Sequence, residues 1–368
     1  MSFQQGLSGL NAAAKQLDVV GNNVANSNTV GFKQARAEFS DVYAASLTGS
    51  GGSQVGIGVK LATVAQQFTQ GNITSTNNPL DIAINGNGFF RMMENNIPTY
   101  TRNGQFQINK EGFIVDAGGK FLTGYGLDAT GAIAAGAEPI PLVINTADAP
   151  PQTTSEAKGT LNLDSRLTPP VNTPLDIADP TTYNNSTAVT IYDSLGNSHT
   201  LQSYFVKSST VGDWDVYTAV DGAFTTGVNA TTPTFTLTFD GTGTSPTPST
   251  PQAITFPVTT GATTPVAMTL DYTTSTQFGS NFSINNLTQD GFASGRLAGF
   301  NASSDGKIVG RYTNGQSKVL GQVVLTRFVN PNGLQNLGGN AWTVTASSGE
   351  PQTGAPGTGL LGVLQSSA

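Results

Sequence analysis

The chain's one histidine, His199, follows closely on Asp193 and Ser194. A serine hydroxyl, an imidazole and a carboxylate are the parts of an acyl-transfer site, in which the imidazole takes the serine proton and the carboxylate orients the ring. Here all three fall on what reads as one hairpin: Val189-Thr190-Ile191-Tyr192, a turn from Asp193 to Asn197, then Leu201 to Val206. No nucleophile-elbow motif accompanies them. His199 is therefore expected as an exposed strand residue, with no catalytic residues in the chain. No carboxylates stand at EF-hand spacing, one histidine cannot build a transition-metal site unaided, and with no cysteine there are neither thiolate ligands nor disulfides. No metal is expected. Gly86-Asn87-Gly88 lacks the remaining glycine and the helix of a dinucleotide or phosphate loop, so it reads as a turn and no cofactor is expected. Asn-x-Ser/Thr triplets such as Asn229-Ala230-Thr231 and Asn286-Leu287-Thr288 arise by chance in so Asn- and Thr-rich a chain.

With chemistry so thin, composition sets the class. The 368 residues suffice for two or three domains with real cores. Charged residues are only 11%, below the usual quarter or so of soluble domains, while Gly, Thr, Asn and Ser abound, a texture that fits a β-rich, secreted, surface-type protein. A net charge of −7 without any Lys/Arg cluster argues against nucleic acid. No apolar run reaches the roughly 18 residues that would span a bilayer, so no membrane insertion is expected.

One stretch has clear helical periodicity. Ser2-Phe3-Gln4-Gln5 fits a capping box. From there Leu7, Leu10, Ala14, Leu17, Val20 and Val24 recur at spacings of three and four, a single apolar stripe, with Leu10, Leu17 and Val24 at a seam spacing of seven. Gly6, Gly9 and Gly21 each weaken such a helix by roughly 0.5–1 kcal/mol, so it needs a partner. No other segment supplies a long helix with a matching stripe. A membrane-surface helix would require a basic face, and Lys15 is the only cation before Lys33. A secretory signal would require an early positive charge and an unbroken apolar core, both lacking.

The remainder reads as mainly β. Ala35, Phe39, Val42 and Tyr43 suggest a short helix, followed by the flexible Gly49–Ser53 and an alternating strand from Val55 to Leu61. Asn85-Gly86 between apolar runs predicts a hairpin joining Leu80–Ile84 to Phe89–Met92. Turn signals spaced about eight to twelve residues apart then indicate an all-β unit. Pro-rich boundaries and a return of the same turn chemistry suggest one domain interrupted by another. The expected organisation is an N-terminal helical assembly segment (1–33), an extended hinge connector (34–70), a middle all-β domain (71–145 plus 285–360) and an inserted all-β domain (146–284).

The run Asn22-Asn23-Val24-Ala25-Asn26-Ser27-Asn28-Thr29-Val30-Gly31-Phe32-Lys33 closely resembles the N-terminal signature of the bacterial flagellar rod, hook and hook-associated axial proteins. The resemblance continues through Gln70-Gly71-Asn72, Leu80–Ile84, Gly86–Phe90, Tyr192–Asn197, Ser304-Asp305-Gly306 and Leu320-Gly321-Gln322. The chain's length and its inserted region look like the hook branch of that family rather than the shorter distal-rod branch. The resemblance implies a structural, non-enzymatic subunit that polymerises with its own kind into a flexible curved tube, the universal joint carrying motor torque from rod to filament. It implies an extracellular place in the flagellum, export through the flagellar type III apparatus without a cleaved signal peptide, and neighbours in the distal rod, the hook cap and the hook–filament junction. Asn22, Asn23, Ala25, Asn26, Thr29, Gly31, Phe32 and Lys33 are its signature positions. Phe39 and Tyr43 resemble a short export motif. Family members continue past Gln365–Ala368 into a C-terminal amphipathic helix, so residues 361–368 are expected to begin one. The rival readings are a distal-rod or hook-associated protein and, from a different class, a secreted β-rich adhesin or binding module.

Overall fold

Strand pairing dominates the computed structural model, which describes residues 2–43 and 56–368. The side chain of Ser2 in the expected capping box and the Gly49–Ser53 hinge lie outside the described residues. One α-helix, α1 (Ser2–Ala25), is followed among the described residues by strands and short 3-10 turns, so the chain is mainly β with an N-terminal helix. It divides into two compact units: Met1–Thr146 with Leu297–Arg311 and Ser317–Ala368, and Ala147–Arg296 with Tyr312–Gln316.

In the first unit, β1 (Ala35–Val42) pairs antiparallel with β2 (Gly58–Gln66). The short helix expected around Ala35–Tyr43 is thus a strand. Its misleading spacing has a cause: a bulge between Glu38 and Phe39 shifts the two-residue alternation by one, so half-buried positions fall at 35, 37 and 39, then at 40 and 42.

The main sheet of this unit is 13-stranded and includes β4 (Phe89–Glu94) and β5 (Ile97–Thr101). The expected Asn-Gly hairpin does not form. β3 (Ile82–Asn85) pairs instead with Val363–Ser366, and β4 pairs with β5 through Asn95-Asn96, whose φ values of 49° and 64° make the mirror-image turn that hairpins prefer. The Asn-Gly segment links two sheets. Residues 361–368 accordingly carry a strand where a helix start was expected, because Leu364 is buried between outward Val363 and Gln365, a period of two. Two clusters fill the unit. One centres on Ile82, Phe90, Ile114, Leu122, Val323 and Leu364, and the other on Phe89, Tyr100, Phe328 and Trp342 with Phe68 packed against them.

The second unit is built on a four-stranded and a five-stranded sheet, whose inward side chains meet in one core around Leu161, Phe205, Trp214, Ile254 and Tyr272. Its hairpin Asn185–Tyr192 to Ser198–Lys207 turns at Asp193–Asn197, where the sequence predicts it. This unit extends to Arg296 rather than ending near 284, because the strand Ser283–Gln289 pairs with Glu156–Asn162.

Candidate assembly face

α1 has two opposed faces. Gln5, Ser8, Ala12, Val19 and Asn23 are half-buried on one side, toward the β1–β2 ribbon. Gln5 Nε2 donates to Gly56 O at 2.7 Å, and Ser8 Oγ accepts from Val59 N at 3.3 Å. Asn23 closes the arrangement at the other end by bonding both backbone polar atoms of Ala35. The contact is thus made by the polar Gln5, Ser8 and Asn23 together with Ala12 and Val19.

The apolar stripe lies on the other side of the helix. Leu10 and Leu17 are each 70% exposed and Val24 68%, while Leu7, Ala14 and Val20 are also exposed. Side chains three and four apart share one face of an α-helix, so these six form a continuous apolar strip turned away from the ribbon. Exposed apolar patches on soluble proteins are where partners commonly bind.

The signature run ends the helix and docks its exit loop. Asn26 N and Ser27 N bond back to Asn22 O and Val24 O, and the turn continues with Thr29 N to Asn26 O and Phe32 N to Thr29 O. Gly31 adopts φ +78°, and a Cβ there would lie 2.7 Å from Asn103 N, so both conformation and space call for glycine. Val30 O accepts from Asn340 Nδ2 at 2.9 Å, and Lys33 Nζ donates to Thr69 O at 2.7 Å. Ala25 is the last helical residue, and Phe32 is half-buried in the loop that follows. Sequence reasoning passed over Asn103 and Asn340, the receivers of this loop, because they stand far away in the chain. Phe39 lies half-buried on β1 opposite Leu61, and Tyr43 follows that strand, exposed.

The residues with chemical potential assemble differently from expectation. His199 is buried, not exposed. Its Nδ1 lies 2.6 Å from Asp221 Oδ2 and its Nε2 3.4 Å from Asp193 Oδ2. Burial pulls the imidazole pKa down, but the hydrogen bonds and charges of Asp221 and Asp193 outweigh it and hold the pKa above its ordinary value. Burial likewise pushes the Asp193 carboxyl up, against bonds from Thr260, Asn197 and His199 that hold it well below the usual carboxylate range. Ser194 Oγ accepts from Thr263 N at 2.9 Å, so the serine is engaged away from the imidazole. The group is an ionic clamp, buried at His199 and Asp193 and open to solvent at Asp221.

Three family models match the chain in succession: flagella basal body rod protein over residues 3–33, flagellar hook protein FlgE/F/G D1 domain over 83–162, and flagellar basal body protein FlaE D2 domain over 162–292. They define a bacterial flagellar protein of the rod-and-hook class. The chain is 40% identical over 375 residues to the flagellar hook protein FlgE of Salmonella typhimurium, spanning 100% of this chain and 89% of that protein. It is 40% identical over 378 residues to that of Escherichia coli K12, and 32% identical over 404 residues to that of Borreliella burgdorferi. The flagellar hook protein FlgE2 of Helicobacter pylori shares the fold, with a TM-score of 0.54 at 14% identity over 79% of this chain and 99% of that one. The chain belongs to the flagellar hook protein FlgE family. Neither the distal-rod nor the adhesin reading is favoured.

Proposed function

We propose that this hook protein is a non-enzymatic polymer subunit whose copies associate through the exposed stripe of α1 into a flexible tube carrying torque from rod to filament. The observation that carries this is the pair of opposed faces on α1: the polar face is used within the chain and the apolar one is not. Burying each large stripe residue on a neighbour contributes on the order of 1.5–3 kcal/mol before association costs. A contact between unlike surfaces that repeats without closing builds a helical filament. The tube's ends meet the distal rod, the hook cap and the hook–filament junction in this reading.

Export through the flagellar type III apparatus, without a cleaved signal peptide, belongs to the same proposal. Phe39 pairs into β1 in the folded chain, so an export motif spanning Phe39 and Tyr43 would be read before the ribbon forms. Secretion that is unchanged by Phe39→Ala with Tyr43→Ala removes that motif from the account.

The polymerisation proposal is tested by Leu10→Asp with Leu17→Asp. Tubes should be lost while both β units keep their native tryptophan emission. Normal hooks from the double variant overturn it.

A further inference from the structure

Beneath the signature loop the first unit holds a half-open cleft of about 680 Å³, lined among others by Asn28, Lys33, Asn72, Asp81, Arg102 and Gln105. Two of these residues are cations, and among the described residues neither has a carboxylate within 4.0 Å. Among the described residues, Lys33 Nζ is capped by Thr69 O alone, at 2.7 Å. Arg102 Nη1 is capped by Gly86 O at 2.9 Å, its guanidinium lies over the Phe89 ring at 5.0 Å, and its Nε is buried with no hydrogen-bond partner among the described residues. Asp81, the acidic side chain of the lining, accepts from Asn78 at 3.0 Å rather than neutralising either cation, and Ala368, which also lines the cleft, bonds through its backbone N–H to Asp81 O at 3.1 Å. Burial and the nearby Arg102 charge lower the Lys33 pKa to about 8, and burial lowers that of Arg102 to about 10. Burial penalises the charged form of both groups, and at Lys33 the Arg102 charge adds to that penalty.

We propose that this cleft is a socket for a carboxylate side chain of a second copy of the chain, received by Lys33 and Arg102. The inference rests on the polymerisation proposed above. A carboxylate suits the site because it supplies the counter-charge that Lys33 and Arg102, both lining the cleft, lack within it. A second copy suits it because the chain is acidic, with 23 Asp and Glu against 16 Lys and Arg, so a neighbouring subunit presents carboxylates in excess. The socket would then fix the register between copies, while the apolar stripe supplies the non-directional attraction.

The test is carbodiimide coupling, which joins an amine to a carboxylate in direct contact with loss of water, applied to polymer grown from a mixture of ¹⁵N-labelled and unlabelled chains. Mass spectrometry should find Lys33 joined to an Asp or Glu in peptides of mixed isotope. In parallel, Lys33→Gln with Arg102→Gln should raise the critical concentration for polymerisation about tenfold or more, with Trp342 emission unchanged, and Lys33→Arg should restore most of it. Tubes that form normally with Lys33 coupled only within its own chain, or not at all, overturn the socket and leave the polymerisation reading intact. No tubes from the unaltered chain overturn both.

Discussion

Asn23 grips the backbone of Ala35 from both sides: its Oδ1 accepts from Ala35 N at 2.9 Å and its Nδ2 donates to Ala35 O at 2.8 Å. One side-chain amide thereby stands in for a strand neighbour and pins the C-terminal end of α1 to the start of β1. This orients the helix so that its stripe faces outward. It also gives the second asparagine of the signature a physical reason that composition could not supply.

Removing that grip should loosen the helix without unfolding the unit. Asn23→Ala deletes two hydrogen bonds and leaves Ala35 with unpaired polar groups, at about 1–3 kcal/mol. Hydrogen exchange should quicken across α1 and the start of β1, with the strands around Trp342 unaffected. Asn23→Asp should behave similarly, since a carboxylate keeps the acceptor, loses the donor and faces Ala35 O. Unchanged protection in both variants would show that the amide bridge does not hold the helix.

Gly31 carries the sharpest steric demand in the signature loop. Gly31→Ala puts a methyl 2.7 Å from Asn103 N at a φ of +78°. Strain of this kind costs on the order of 1–3 kcal/mol. The melting temperature of the first unit should fall by several degrees. A neutral effect would mean that the loop can dock in a second way.

The His199 clamp makes the second unit's stability depend on pH. The groups facing the ring are Asp221 and Asp193, with uncharged Thr260 bonding Asp193 and Phe256 beside the imidazole. Because the folded imidazole keeps its proton to higher pH than the unfolded one, its stabilisation is complete below about pH 6.5 and is lost as pH rises through the raised folded value. Asp193 and Asp221 have depressed values, so their contribution is present above about pH 4 and is lost as pH falls through the folded values. Urea midpoints followed by Trp214, buried in the same core, should fall from pH 6 to pH 9. His199→Gln should flatten that slope.

Lys33 predicts the opposite trend in the first unit. Its folded pKa of about 8 lies below the ordinary lysine value of 10.5, so the unfolded chain binds more protons between those values and stability rises with pH across that window. Trp342, in the first unit's aromatic cluster, reports it. Lys33→Gln should remove the rise.

Much of this architecture was legible along the chain. Helical spacing located α1 and its stripe, and the turn at Asp193–Asn197 located a hairpin, because each depends on residues close in sequence. What escaped was long-range. The partner of β3 lies at Val363–Ser366, so the Asn-Gly turn beside it joins two sheets instead of closing the hairpin its sequence suggests. The bulge in β1 disguised a strand as a helix. His199 was misplaced although the signal was present: it shares parity with Leu201, Ser203 and Phe205, which point inward along the same strand. Its carboxylate partner Asp221 comes from another turn, which local reading could not foresee. Of the assembly face, the apolar residues could be read from spacing. The polar side that leaves them exposed could not, since Gly56, Val59 and Ala35 become its partners only once the ribbon has folded.

The most direct measurement of the central claim uses the chain's lack of cysteine. A single thiol introduced by Leu10→Cys or Leu17→Cys reports the stripe alone. In the monomer both thiols should react with a maleimide at the rate of an exposed residue, and in the assembled tube both should be protected by about tenfold or more. Equal reactivity in monomer and tube would contradict the account, because the stripe would then remain in water after assembly.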